Sequence, residues 1–142
     1  MRLDRVRPGQ RRTVAAIVDR LLPSAPQLPA EARRRVAEAS TRFVVVEIES
    51  IPPFLRLPYL LAVVGFEWVA VLRYGRPFSR LAAEAQRAYL ALWSDFPIGT
   101  PRDFVKLIRG CALLAYFDHP EVRAALERGR RAADEPVRLA AE

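Results

Sequence analysis

One histidine, His119, and one cysteine, Cys111, are all that a chain of 142 residues offers of the side chains that most often serve as base, nucleophile or transition-metal ligand. A zinc or haem site of the usual ligand count cannot be built from them. His119 stands directly before Pro120 where a helix should start, so a cap or corner role is expected of it. Cys111 falls at helical spacing on an apolar face, and core packing is its expected role. A pair of carboxylates could act as acid and base, but among them only Glu67 sits in an apolar setting, where a carboxylate satisfied by hydrogen bonds is the plainer account. Gly65, Gly75, Gly99, Gly110 and Gly129 are isolated, which leaves no glycine-rich loop to cradle the phosphates of a flavin or nicotinamide. The expectation is a chain with no catalytic set, metal or cofactor site of its own.

The elements that would position these residues read as helices. With 51% hydrophobic residues and 12 prolines, the composition fits one folded domain of short helices with Pro-marked boundaries rather than a low-complexity tail. The lone Cys111 cannot form an internal disulfide and leaves the redox compartment open, a reducing cytoplasm being the mild favourite. The spacing predicts an all-α, single-domain, irregular bundle of about five to six helices over residues 10–128, preceded by a basic arm over 1–9 and followed by a flexible tail over 129–142.

Helix one should run from about Gln10 to Leu22, where Pro23 stops it, and helix two from about Ala30 to Ser50, burying Val36, Phe43, Val44, Ile48 and Ile51. The β-branched run Val44 to Val46 would suit a strand, but the Ala/Arg/Glu-rich segment before it is a strong helix former. Helix three, from about Leu57 to Tyr74, is apolar almost all round. Its two adjacent stripes are Leu60, Val64, Trp68, Val71 and Leu61, Gly65, Val69, Leu72, and Gly75 should close it as a left-handed cap. An apolar circumference implies a central position or a face reserved for another polypeptide. Helix four is expected from Ser79, as N-cap, to Trp93 or Ser94, with Leu81, Ala85, Ala88, Tyr89, Leu92 and Trp93 on one side. Helix five opens with Thr100, Pro101 and Asp103 in a capping-box arrangement and carries Phe104, Leu107, Ile108, Cys111, Leu114, Ala115 and Phe117. Asp118 and Glu121 repeat the cap pattern around His119 and start a short last helix ending near Arg128.

The net charge of +7 is carried almost wholly by arginine, Lys106 being the single lysine. Arg2, Arg5, Arg7, Arg11 and Arg12 form a basic arm, Arg33 to Arg35 a triplet, and Arg128, Arg130 and Arg131 a basic exit; such clusters attract phosphates or acidic protein surfaces, or simply solvate a helix face. Arg11-Arg12 could open a twin-arginine export signal, but Asp19 and Arg20 interrupt the segment from Thr13 to Leu22, and it reads as a helix of the mature fold. The apolar run Leu57 to Leu72 is shorter than the roughly 20 residues a bilayer demands and holds Glu67, so no membrane span is expected.

Gly75-Arg76-Pro77-Phe78-Ser79-Arg80-Leu81, Tyr89-Leu90, Trp93-Ser94, Phe104 and Leu113-Leu114-Ala115-Tyr116-Phe117-Asp118-His119-Pro120-Glu121-Val122, in that order, resemble the small subunit of gluconate 2-dehydrogenase, the subunit 3 family. They are also similar to the helical region that precedes the flavin domain of long-chain alcohol oxidases. Asp19-Arg20-Leu21-Leu22-Pro23 resembles the family's opening segment, while Ala30 to Tyr74 matches only as a hydrophobic pattern. The resemblance implies a non-catalytic accessory subunit that binds, stabilises or helps assemble a flavin-dependent sugar or alcohol dehydrogenase of the glucose-methanol-choline type, with FAD held by the large subunit. Members of the family often bear an export signal; none is visible here, which favours a cytoplasmic complex, or a periplasmic one if the true start lies upstream of Met1.

The residues expected to face that partner are Phe54, Trp68, Phe78, Phe96, Tyr116, Phe117 and His119, aromatic or corner positions of the kind that anchor interfaces. Two other classes stay open on charge and hydropathy: a basic helical module for nucleic acid, which is not expected as a partner, and a membrane-surface protein docking through its arginines and helix three.

Overall fold

The structure, a computed structural model, describes residues 5–25, 27–97 and 99–139, without the side chains of residue 100 and of 136–139. Arg2 of the basic arm, Pro26 of the first connection and Ile98 of the corner therefore lie outside the described residues, as does the Thr100 side chain; the Thr100 backbone stands inside the fifth helix, which begins at Gly99, rather than at its cap. The described chain forms an all-α bundle of six helices with no strand: α1 (Pro8–Leu21), α2 (Ala30–Ser50), α3 (Pro53–Tyr74), α4 (Ala83–Ser94), α5 (Gly99–Asp118) and α6 (Pro120–Leu139). A single 3-10 turn, Phe78–Arg80, stands between α3 and α4.

α1 is the hub, touching α2, α3, α4, α5 and the 3-10 turn. Pro8 occupies its first turn, where the missing N–H costs no helical bond, and Val14, Ile17 and Val18 have no exposed surface. α2 packs along α5 and α1 and buries Val36, Val44, Val45 and Ile48. Burial of that β-branched run against two helices outweighs its preference for extended backbone, which is why the segment is helical. Phe43 and Ile51, expected in the core, are half-buried.

α3 begins at Pro53 rather than near Leu57. Pro52 caps it and Pro53 takes the first position, so the two prolines start the helix. Arg56 ties this start to the end of α2 by donating from Nε and Nη2 to the Ile51 carbonyl at 3.1 and 2.8 Å. Gly75 closes the helix with φ 72, its N–H bonding Val71 O at 2.8 Å, as a left-handed cap requires.

Ser79 does not cap α4. It lies in the 3-10 turn, and α4 starts at Ala83, because the turn is held from both sides: Glu67 accepts the Phe78 N–H and Gln86 Nε2 donates to Phe78 O at 2.9 Å. The same bond draws Gln86 inward, so α4 buries Gln86, Tyr89 and Leu90 while Ala88 and Leu92 face outward. On α5 the buried row is Phe104, Val105, Ile108, Ala112 and Tyr116, with Cys111 half-buried and Leu114 exposed. α6 continues well past Arg128 to Leu139, supported by Arg130 and Arg131, which sit one helical turn beyond Glu127 and both pair with it.

Phe66 of α3 is the centre of the aromatic core. Its ring lies 4.8 Å from Phe78, 4.7 Å from Tyr89 and 4.9 Å from Trp93, in edge-on or tilted arrangements that suit aromatic quadrupoles. Tyr89 Oη donates to the Phe66 carbonyl at 2.5 Å. Three elements, α3, the 3-10 turn and α4, thus converge on one residue. At the far side α2 and α6 are joined by Arg35 and Glu121 at 2.7 Å, and the Arg35 guanidinium holds the Glu121 carboxyl below its ordinary range.

Candidate docking face

At about 100° per residue, the inward row of α3 is Leu60, Val63, Phe66 and Ala70. Neither stripe read from the sequence is the buried one; of those eight residues only Leu60 is buried. The opposite row is Phe54, Leu57, Leu61, Val64, Trp68 and Leu72, all apolar and all solvent-facing. Leu72 is 82% exposed, Phe54 76% and Trp68 64%. At ~1.5 Å rise per residue the row spans roughly 27 Å from Phe54 to Leu72. Exposed apolar residues scattered singly need no explanation; a continuous row on one helix is what makes this face the candidate site.

Beginning at Pro53, α3 has 22 residues, and by length and composition it could cross a membrane; 22% of its most apolar window is buried within the bundle. The length argument against a span, which took the run from Leu57, does not hold for this longer helix. What ties α3 into the bundle is Glu67. Its Oε1 accepts the Thr13 hydroxyl of α1 at 2.5 Å and its Oε2 the Phe78 N–H at 2.8 Å. Both oxygens are engaged by neutral donors rather than by an arginine, which lets this half-buried carboxylate anchor helix, hub and turn together.

Beside the apolar row, between α1, α3 and the 3-10 turn, lies a cleft of about 510 Å³. Val63, Val64, Trp68 and Val71 line it from α3, Arg12 from α1 and Arg80 from the turn. Neither Arg12 nor Arg80 is in ion-pair range of a carboxylate among the described residues. A second cleft of about 460 Å³ joins Arg73 and Tyr74 at the end of α3 to Leu92 and Phe96.

Of the expected partner-facing residues, Phe54 and Trp68 share the outer row of α3, and Phe96, 39% exposed, lines the second cleft. Phe117 is half-exposed on α5, next to the Tyr116 ring at 5.1 Å. Phe78 and Tyr116 are corrections: with 0% and 3% exposure they are core residues, because the turn at Phe78 is pinned inward and Tyr116 continues the buried row of α5. His119 is half-buried at the start of α6, and its Nδ1 accepts the Glu121 N–H at 3.2 Å. The imidazole is the cap; Asp118 ends α5 and pairs with Arg123, and Glu121 turns to Arg35.

Cys111 is half-buried on α5. Burial pushes the Cys111 thiol above its ordinary pKa of 9.0, with a smaller push from Glu47. Among the described residues no three His, Cys, Asp or Glu side chains come together as a metal-binding group. The sequence placed Arg12 only in the basic arm and Arg80 only in the segment that resembles the subunit 3 family, since an arginine among 23 basic residues carries no mark of the cleft it will line.

No family model matches the chain, and no curated protein or solved structure matches it. The surface of α3 therefore carries the functional reading.

Proposed function

We propose that the chain is a non-catalytic docking subunit that binds, and stabilises or helps assemble, a flavin-dependent sugar or alcohol dehydrogenase of the glucose-methanol-choline type, FAD belonging to the large subunit. One observation carries the docking half of this reading. The outward row of α3, from Phe54 to Leu72, leaves apolar side chains in water that would each gain ~1.5–3 kcal/mol on burial. The ordered segments from Gly75 to Val122 that resemble the subunit 3 family support the choice of a flavoprotein as the partner.

The test is purification of the native chain under mild conditions, followed by protein mass spectrometry and an absorption spectrum. A stoichiometric flavoprotein with an oxidised-flavin spectrum is expected. A chain that is monodisperse by itself, stays soluble without any flavoprotein and retains none would overturn the proposal.

A further inference from the structure

We infer that the outer face of α3 receives an apolar helix of another protein whose flanking Asp or Glu side chains enter the cleft and pair with Arg12 and Arg80. The inference deepens the docking reading and rests on it. Three observations choose this occupant.

The first is charge. Arg12 and Arg80 line the cleft beside Trp68 without an acidic partner among the described residues, and the one carboxylate there, Glu67, has both oxygens engaged by Thr13 and Phe78. Arg73 and Arg76 stand exposed at the C-terminal end of the same helix. A second copy of this chain would bring a net charge of +7 against +7, so the complementary surface is an acidic one.

The second is shape. Gly65 lies at the edge of the outward row, half-buried and one turn from Leu61, and a Cβ built there would meet nothing within 4 Å, so packing inside this chain does not call for glycine. Glycine in a helix interior lowers helix stability relative to alanine, and its return is a notch through which another backbone can approach closely.

The third is the cleft itself. A volume of about 510 Å³, lined from α3 by Val63, Val64, Trp68 and Val71 beside the already engaged Glu67 and with two guanidinium groups on the other sides, suits a side chain with a carbon stem and a carboxylate end. A fluid bilayer would cover the apolar row but has no use for a notch and a fixed pair of forks. Burying the row and neutralising the arginines together places the partner helix in one register.

The experiment replaces Trp68, and in a separate chain Leu114 on α5, with the photo-crosslinking residue p-benzoylphenylalanine in cells that make the native complex. Irradiation at position 68 should join one partner protein through a helical peptide bearing Asp or Glu, and position 114 should not. In the purified complex, the double variant R12E/R80E should weaken assembly at least tenfold, Gly65→Leu should do so as well, and Leu114→Glu should leave it unchanged. Circular dichroism of each variant keeps a folding defect from passing as a binding defect. Changing the crosslinked carboxylates of the partner to arginine should restore binding to R12E/R80E. A crosslink from 68 to a second copy, or flotation of the chain with phosphatidylglycerol vesicles, overturns the inference. If the complex crosslinks from 114 and ignores R12E/R80E, the docking reading survives while this assignment falls; if neither position captures a protein, both fall.

Discussion

Glu67 Oε2 accepts the backbone N–H of Phe78 at 2.8 Å, across eleven residues of chain that include the end of α3 and its Gly75 cap. With Oε1 on the Thr13 hydroxyl, one side chain fixes the hub helix α1, the helix α3 and the 3-10 turn that delivers Phe78 to the core. The carboxylate expected from its apolar setting to be satisfied by hydrogen bonds is so satisfied, as a three-way clamp.

Removing that clamp should be costly. Glu67→Ala leaves the Phe78 N–H without its acceptor and breaks the tie to Thr13, whose hydroxyl keeps only Gly9 O of its own helix, and is expected to destabilise the fold by ~1–3 kcal/mol. Glu67→Gln can keep its oxygen on the Phe78 N–H and donate from its N–H₂ to Thr13 Oγ1 while that hydroxyl turns to Gly9 O, so it should cost clearly less. Urea midpoints of the two variants decide this; a change under about 0.5 kcal/mol in Glu67→Ala, the range of an indifferent surface substitution, would refute the clamp.

Tyr89 sets an alkaline limit. Its ring is fully buried, and burial pushes its pKa from 10.0 up to about 12. The folded state therefore keeps a proton that the unfolded chain releases near 10, so this contribution is intact below pH 10 and is lost as pH rises from 10 to 12. Tyr89→Phe should be less stable at neutral pH, by ~1 kcal/mol for the lost bond to Phe66 O, and should show a shallower decline over that window. Thermal melts of both proteins at pH 8 to 12 measure the slopes, and parallel slopes would contradict the assignment.

Cys111 should be sluggish. A thiol whose pKa is raised by burial has less thiolate at neutral pH than a free cysteine, so iodoacetamide should modify the folded chain at least ~10-fold more slowly than the urea-unfolded chain. Peptide mass spectrometry over time gives both rates. Equal rates would mean that the α5 face carrying Cys111 opens readily.

His119 is tested as a cap rather than as a base. His119→Ala should cost about 1 kcal/mol by releasing the Glu121 N–H, and His119→Asn, which restores an acceptor, should recover most of it. Denaturation curves would show the ordering; if Asn and Ala behave alike, the imidazole contributes through packing instead.

Much of the bundle was legible because punctuation is local. Pro23 after Leu22, Gly75 after Tyr74 and Pro120 after His119 act through the backbone of their own few residues, and the observed boundaries agree with them. The α4 boundary was not legible: Ser79 is a good cap by type, but Glu67 and Gln86, distant in sequence, hold that segment as a 3-10 turn. Phe78 and Tyr116 were misplaced for a related reason, since a corner aromatic is equally at home in a core or an interface until its neighbours are known.

The sequence by itself determined an all-helical chain, its helix boundaries to within a few residues at most corners, and a supply of reactive side chains limited to one His and one Cys. Only the tertiary structure decided which side of α3 meets water. Periodicity assigns a buried face when polar residues mark the opposite one, and a helix that is apolar all round offers no such phase. Packing supplied it: Phe66 goes inward to Phe78, Tyr89 and Trp93, Glu67 is seized by Thr13 and Phe78, and the rotation these contacts impose leaves Phe54, Leu61, Trp68 and Leu72 outside.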